Sequence, residues 1–219
     1  MQVSQLRELF FSYPDLSKRD WMQNYMKNRY PYVGLPNPIR RALEKDFLSL
    51  WKQQDMKEIA LVFRELWKQP EREFRYTALE LLYATRKKWT ADTLALIEYA
   101  IATDAWWDTV DTLAGKCAGE YFLKFPAKRE KTLRKWTASA DFWFNRAAIL
   151  HQLGYKKKTN TEWLRETIVP HLGSKEFFIQ KAIGWALRQY ARTNALWVAD
   201  FCDEYPLKPL SRREALKHL

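Results

Sequence analysis

The chain has 219 residues, 47% of them apolar, which is enough for one sizeable core or one continuous repeat array and too many for a disordered segment. Thirty-seven basic residues against 26 acidic ones leave a net charge of +11, which favours a polyanionic partner, either nucleic acid or an anionic membrane surface. Six glycines argue against a turn-rich β-sandwich or barrel, and two cysteines exclude a disulfide framework.

From the N-terminus, Met1–Arg7 lacks the basic start and apolar run of a secretory leader, so a cytoplasmic location is expected. Helix starts follow in order. Ser17-Lys18-Arg19-Asp20 resembles a capping box, and Asn37-Pro38 reads as an N-cap followed by an N1 proline. Thr90, Thr161 and Ser174 each precede an apolar-periodic run, and Ser211-Arg212-Arg213-Glu214 has the full capping-box pattern. No period-2 strand is evident. The expected fold is all-α, with about a dozen helices if each has an average length of 11–12 residues.

No uncharged apolar run reaches about 18 residues. Even Leu94 to Trp107 is interrupted by Glu98 and Asp104, so no membrane-spanning helix is expected; no membrane is expected as a partner either. Cys117 falls on an apolar helical stripe and reads as packing. His151, His171 and His218 show no metal-ligand spacing with one another or with the cysteines, so neither a metal nor another cofactor is expected.

The chain repeats itself. Phe74-Arg75-Tyr76-Thr77-Ala78-Leu79, Trp143-Phe144-Asn145-Arg146-Ala147-Ala148 and Phe178-Ile179-Gln180-Lys181-Ala182-Ile183 each place an aromatic four residues before a small residue. The Trp107 segment fits the same period, near 35, which with two helices per unit implies a HEAT- or TPR-like solenoid with a concave groove. Residues before about 70 fit poorly and are expected to form an N-terminal helical cap. No Pro/Gly/Ser linker interrupts the chain, so a single domain over 1–219, acting as a monomer, is expected.

Helical angles place functional candidates at the edges of packed faces. Val110, Leu113, Ala114, Cys117 and Tyr121 form one stripe, with Trp107 and Asp111 stacked one turn apart on its flank. Ile179, Ile183, Ala186 and Tyr190 form another, with Trp185 projecting away from it beside Phe178, Lys181 and Arg188. Arg146 follows Asp111 by 35 residues and sits among Phe142, Ile149, Leu150 and Leu153. A guanidinium there needs a partner. Either Asp111 pairs with it or it faces the groove and takes an anion. Arg40-Arg41, Arg86-Lys87-Lys88, Lys156-Lys157-Lys158 and Arg212-Arg213 form basic clusters. If about six of these cations met phosphates, the log–log salt slope of DNA binding would be near −5.

Several segments are similar to the bacterial DNA alkylation repair glycosylases of the AlkD type, which are built from HEAT-like repeats. They are Tyr25-Met26-Lys27-Asn28, Arg64-Glu65-Leu66-Trp67, Pro70-Glu71-Arg72-Glu73-Phe74, Trp106-Trp107-Asp108-Thr109-Val110-Asp111, Arg146-Ala147-Ala148-Ile149-Leu150, Ser174 through Trp185, and Pro209 through Ala215. The resemblance runs through nearly the whole chain in the same order. It implies an enzyme that excises N3- and N7-alkylated purines from duplex DNA in a bacterial cytoplasm, gripping the backbone around the lesion. It assigns the catalytic aspartate to Asp111, the two cleft tryptophans to Trp107 and Trp185, the groove arginine to Arg146, and an N-terminal DNA-facing tyrosine to Tyr25. Lys181 and Arg188, beside Trp185, complete the candidate DNA-binding set.

Overall fold

The computed structural model describes residues 1–217, so His218 lies outside the described residues. The described residues are helical without strands, as expected. They form two compact units, Met1–Thr90 and a second that begins at Ala91. No described helix is long and apolar enough to cross a membrane.

The first unit contains α1 (Val3–Phe11), α2 (Leu16–Tyr25), α3 (Asn37–Leu43), α4 (Lys45–Trp51), α5 (Met56–Trp67) and α6 (Arg72–Ala84). Apolar residues at helical spacing on α5 (Ile59, Val62, Phe63, Leu66) are buried, as are Phe74, Leu81 and Leu82 on the neighbouring α6. Helix α2 is different, because none of its residues is buried. Trp21 and Tyr25 are exposed and stack on each other with centroids 5.6 Å apart. The helix is held at its N-terminal end. Gly34, at φ +101°, lets the 31–36 loop pass so close that a Cβ there would lie 2.2 Å from the Asp15 carbonyl oxygen. The buried Glu73 carboxylate on α6 accepts from the backbone N–H groups of Val33, Gly34 and Leu35 and ties this loop down.

The second unit contains α7 (Thr93–Ala102), α8 (Trp107–Thr112), α9 (Gly119–Lys124), α10 (Pro126–Thr137), α11 (Phe142–Leu150), α12 (Thr161–Ile168), α13 (Phe177–Ala191), α14 (Ala195–Glu204) and α15 (Pro209–Ala215). A π-helical turn, Leu113–Ala118, joins α8 and α9 into one continuous rod. That rod, α11 and α13 pack side by side in one row, and α10, α12 and α14 pack against it in a second. The first residues of α6, α8, α11 and α13 are Arg72, Trp107, Phe142 and Phe177, each 35 after the last. This spacing is the physical form of the sequence repeat. There are more helices than the dozen expected because several have only six or seven residues.

The first predicted stripe holds: Val110, Leu113, Ala114, Cys117 and Tyr121 are all fully buried. Of the second, Ile179, Ile183 and Ala186 are buried and Tyr190 is half-buried. The predicted caps do not hold. Asp15, not Ser17, caps α2 by accepting from the Lys18 N–H. Asn37 is the first residue of α3, and the N-cap is Pro36. Helix α7 starts three residues after Thr90, and Asn160 rather than Thr161 caps α12. Ser174 Oγ accepts from the Glu176 N–H just ahead of α13. Ser211 and Glu214 form no capping box, since α15 already begins at Pro209 and both side chains reach across to α13. The reason is common to all of them. Ser and Thr occur often near helix ends, but the cap falls to whichever side-chain oxygen the incoming chain path brings to the free N–H groups.

His151 is a core residue. It is fully buried, its Nδ1 lies 2.6 Å from the Ala148 carbonyl, and burial pushes its pKa down to about 4. The native state therefore holds it neutral while the unfolded chain protonates near 6.5. Its contribution to stability is complete above that value and is lost as pH falls from 6.5 towards 4, by about 3 kcal/mol. Glu44 acts in the opposite sense. Burial pushes its carboxyl up to about 7 against the pull of Arg40, so its contribution is lost as pH rises from about 4.5 to 7. Urea unfolding of wild type and His151→Gln should show a stability difference that shrinks with acidification over that window. A difference independent of pH removes the neutral-histidine account.

Candidate active site

Asp111 lies on the last turn of α8, immediately before the π-helical segment, and Arg146 lies on the first turn and a half of α11. Equivalent positions on adjacent helices bring them together. Arg146 Nε donates to Asp111 Oδ1 at 2.7 Å and Nη2 to Oδ2 at 2.9 Å, a bidentate pair. Nη1 donates to the carbonyl of Phe178, in the first turn of α13, so all three guanidinium nitrogens are used. Of the two alternatives open for Arg146, the structure shows the ion pair.

The pair has a direction. The side chain of Arg146 is 5% exposed and that of Asp111 is 16% exposed, so the carboxylate is the outer partner. Burial raises the Asp111 carboxyl above the ordinary aspartate range; the hydrogen bonds and charge of Arg146 oppose the rise, and Asp108 adds to it. The arginine thus stabilises an ionised carboxylate where burial alone would favour the acid.

Trp107 is the first residue of α8, one turn before Asp111 and half-buried like it. Trp185 is on α13, about two turns beyond Phe178, and is also half-buried. The sequence reading missed an aromatic cluster that adjoins the ion pair through Phe178. Trp106, Phe142, Trp143 and Phe178 form one cluster, with Trp106–Phe178 at 5.1 Å, Trp143–Phe178 at 5.0 Å and Phe142–Trp143 at 4.6 Å. The Arg146 guanidinium carbon lies 5.9 Å from the Phe178 ring centroid. The 35-residue period could have found this cluster, because Trp107, Phe142 and Phe177 are equivalent helix starts and each is next to a member of it or is one itself.

The candidate DNA-binding cations are not alike. Lys181 Nζ and Arg188 Nη1 both bond Glu214 of α15, at 3.0 and 2.6 Å. Tyr25 is on the exposed face of α2 in the first unit. Much of the basic clustering is turned to structural use. Arg40 is buried against Glu44 and Glu80, and Arg41 bonds Glu80. Lys88 Nζ donates to the carbonyls of Lys52, Gln53 and Gln54 beyond the end of α4, and Arg212 bonds Asp203 and the Cys202 carbonyl. Lys156, Lys157, Lys158 and Arg213 are exposed. Fewer cations are therefore presented to a phosphate backbone than the clusters suggest. Among the described residues no group of three or more His, Cys, Asp or Glu side chains could hold a metal ion.

Together these features define a helical-repeat protein with a partly exposed, arginine-held carboxylate on one row of its helices. The sequence model of the DNA alkylation repair enzyme family matches residues 6–219, and the chain belongs to that family. Membership carries a role in the repair of alkylated DNA, with DNA as substrate. A structure described as a predicted DNA alkylation repair enzyme from Enterococcus faecalis is 31% identical, with a TM-score of 0.89 over 94% of this chain and 96% of that one. The structure of smu.31 from Streptococcus mutans shares the fold at 20% identity, with a TM-score of 0.61 over 82% of this chain and 97% of that one. No curated protein matches the chain.

Proposed function

We propose that this chain is an alkylpurine-DNA glycosylase that hydrolyses the N-glycosidic bond of cationic N3- and N7-alkylpurines in duplex DNA. The observation that carries the reading is the Asp111–Arg146 pair with its carboxylate outermost, one turn from an indole. Such a purine is already positively charged and departs as a neutral base, so the reaction needs no strong general acid. As the C1′–N bond stretches, positive charge moves onto the sugar, in an oxocarbenium-like state. A fixed carboxylate stabilises that state more than the ground state, and that difference accelerates the step. The same carboxylate orients the attacking water. In this reading Trp107 and Trp185 hold the sugar and exclude solvent, Arg146 acts through Asp111, and Tyr25, Lys181 and Arg188 contact the DNA backbone.

The test is release of 7-methylguanine and 3-methyladenine from methylated duplex DNA by the purified monomer, without added metal and measured against pH. The working form of Asp111 is the anion, and burial raises its pKa. Activity should therefore fall with acidification at a higher pH than an ordinary aspartate, near 3.9, would allow. A rate that stays level until that ordinary range contradicts the assignment of Asp111. One feature favours a second reading: Arg146 spans both oxygens of Asp111 and offsets its charge. Salt-sensitive duplex binding with no base release identifies a noncatalytic DNA-binding member of the fold.

A further inference from the structure

The Ser211–Glu214 segment has the sequence of a helix cap, yet both side chains serve another helix. Ser211 Oγ donates to the Gln180 carbonyl at 2.9 Å. The backbones are almost in contact beside it. A Cβ on Gly184 would lie 2.4 Å from the Glu214 Cβ and 2.8 Å from the Ser211 carbonyl oxygen, so only glycine admits α15 here. Glu214 is thereby set against α13 between Lys181 and Arg188, and each of its oxygens takes one cation. Those cations are four residues before and three after Trp185, on the same helical face.

From this arrangement we propose that Glu214 is a built-in counter-anion which keeps Lys181 and Arg188 neutralised in the DNA-free protein and yields them to a DNA phosphate on binding. The inference rests on the reading of this face as DNA-contacting. Three observations support the exchange. Lys181, Arg188 and Glu214 are 37%, 22% and 14% exposed, so water and salt already weaken the clamp. Among the described residues Arg188 gives Glu214 a single nitrogen, which leaves its planar fork available for two-point phosphate contact. Glu214 is also set by the Gly184 contact, so releasing the cations requires lysine and arginine rotamer changes and no movement of α15.

The exchange has a thermodynamic signature. Each phosphate neutralised by protein releases condensed counterions from DNA, but the freed Glu214 carboxylate takes up a solvent cation. The wild type should therefore show a log–log salt slope shallower, by up to about one, than a variant without that carboxylate.

The experiment is fluorescence anisotropy with an undamaged duplex oligonucleotide over a salt series, using wild type, Glu214→Gln, Lys181→Gln/Arg188→Gln and the triple variant, each checked by thermal melting. Glu214→Gln is expected to bind about fivefold more tightly at low salt and with the steeper slope, the size of an ordinary surface-charge effect. Its effect should disappear in the triple variant, because the cations it liberates are gone. Unchanged or weaker binding by Glu214→Gln, or a gain that persists in the triple variant, overturns the proposal, as does a wild type that fails to bind duplex at low salt. Base release by wild type judges the glycosylase reading separately. A protein that releases methylated bases but shows no Glu214 effect refutes this proposal alone, and one that shows the effect without base release refutes only the catalysis.

Discussion

Asp111→Asn is expected to release 7-methylguanine from methylated duplex DNA at least about a hundredfold more slowly than wild type, the usual cost of losing a group aimed at transition-state charge. Duplex binding should persist, because the anion contributes nothing to attraction of a polyanion. The substitution also disturbs Arg146. One asparagine oxygen can still accept from Nε, but the amide nitrogen faces the donor Nη2, which now bonds Oδ2 at 2.9 Å. Some loss of stability will therefore accompany the loss of rate, and the two must be separated. Asp111→Asn/Arg146→Met replaces the pair by near-isosteric neutral groups, an exchange that is often neutral or stabilising at buried sites. It should recover much of the melting temperature and none of the activity. Recovery of base release along with stability would show that Asp111 had only a packing role.

Arg146→Met carries the second large effect, with the opposite logic. It leaves Asp111 without the two hydrogen bonds and the charge that oppose its desolvation. A stranded buried charge costs about 3 kcal/mol or more, but Asp111 is partly exposed and can take up a proton, so a cost of about 2 kcal/mol is expected. The acidic limb of the pH–rate profile should move to higher pH, since the ionised carboxylate has lost its main support. Activity at neutral pH falls and returns in part on alkaline titration. Arg146→Lys should restore charge but not the two-point geometry, and should lie between Met and wild type. If Arg146 instead worked by holding a phosphate, Arg146→Met would weaken duplex binding and reduce its salt slope by about one, with the pH profile in place. That outcome would return Arg146 to the DNA-binding set.

How much of this was legible beforehand follows from which residues are involved. The pairing of Asp111 with Arg146 could be anticipated from their 35-residue spacing, because equivalent positions on stacked repeats face one another. The flank positions of Trp107 and Asp111 could be anticipated as well, since they depend only on 3.6 residues per turn. The aromatic cluster of Trp106, Phe142, Trp143 and Phe178 was hidden in the same period. The Phe178 carbonyl could not be found in that way, because every residue has a carbonyl and only the packing of α13 on α11 presents this one.

The charge count misled most. A net charge of +11 is a sum, and a sum does not say which cations are spent internally. Arg40, Lys88, Arg188 and Arg212 each find acceptors through contacts as distant in sequence as Glu80, Lys52, Glu214 and Asp203. Sequence by itself therefore determined the helical class, the repeat length, most of the buried stripes and the candidate partner of Asp111, because each is set by local geometry repeated along the chain. Tertiary structure alone decided the helix caps, the outward face of the carboxylate and the counter-ions of Lys181 and Arg188. Those depend on which polar atoms are brought within about 3 Å once separate helices have packed, and such proximity is a property of three dimensions.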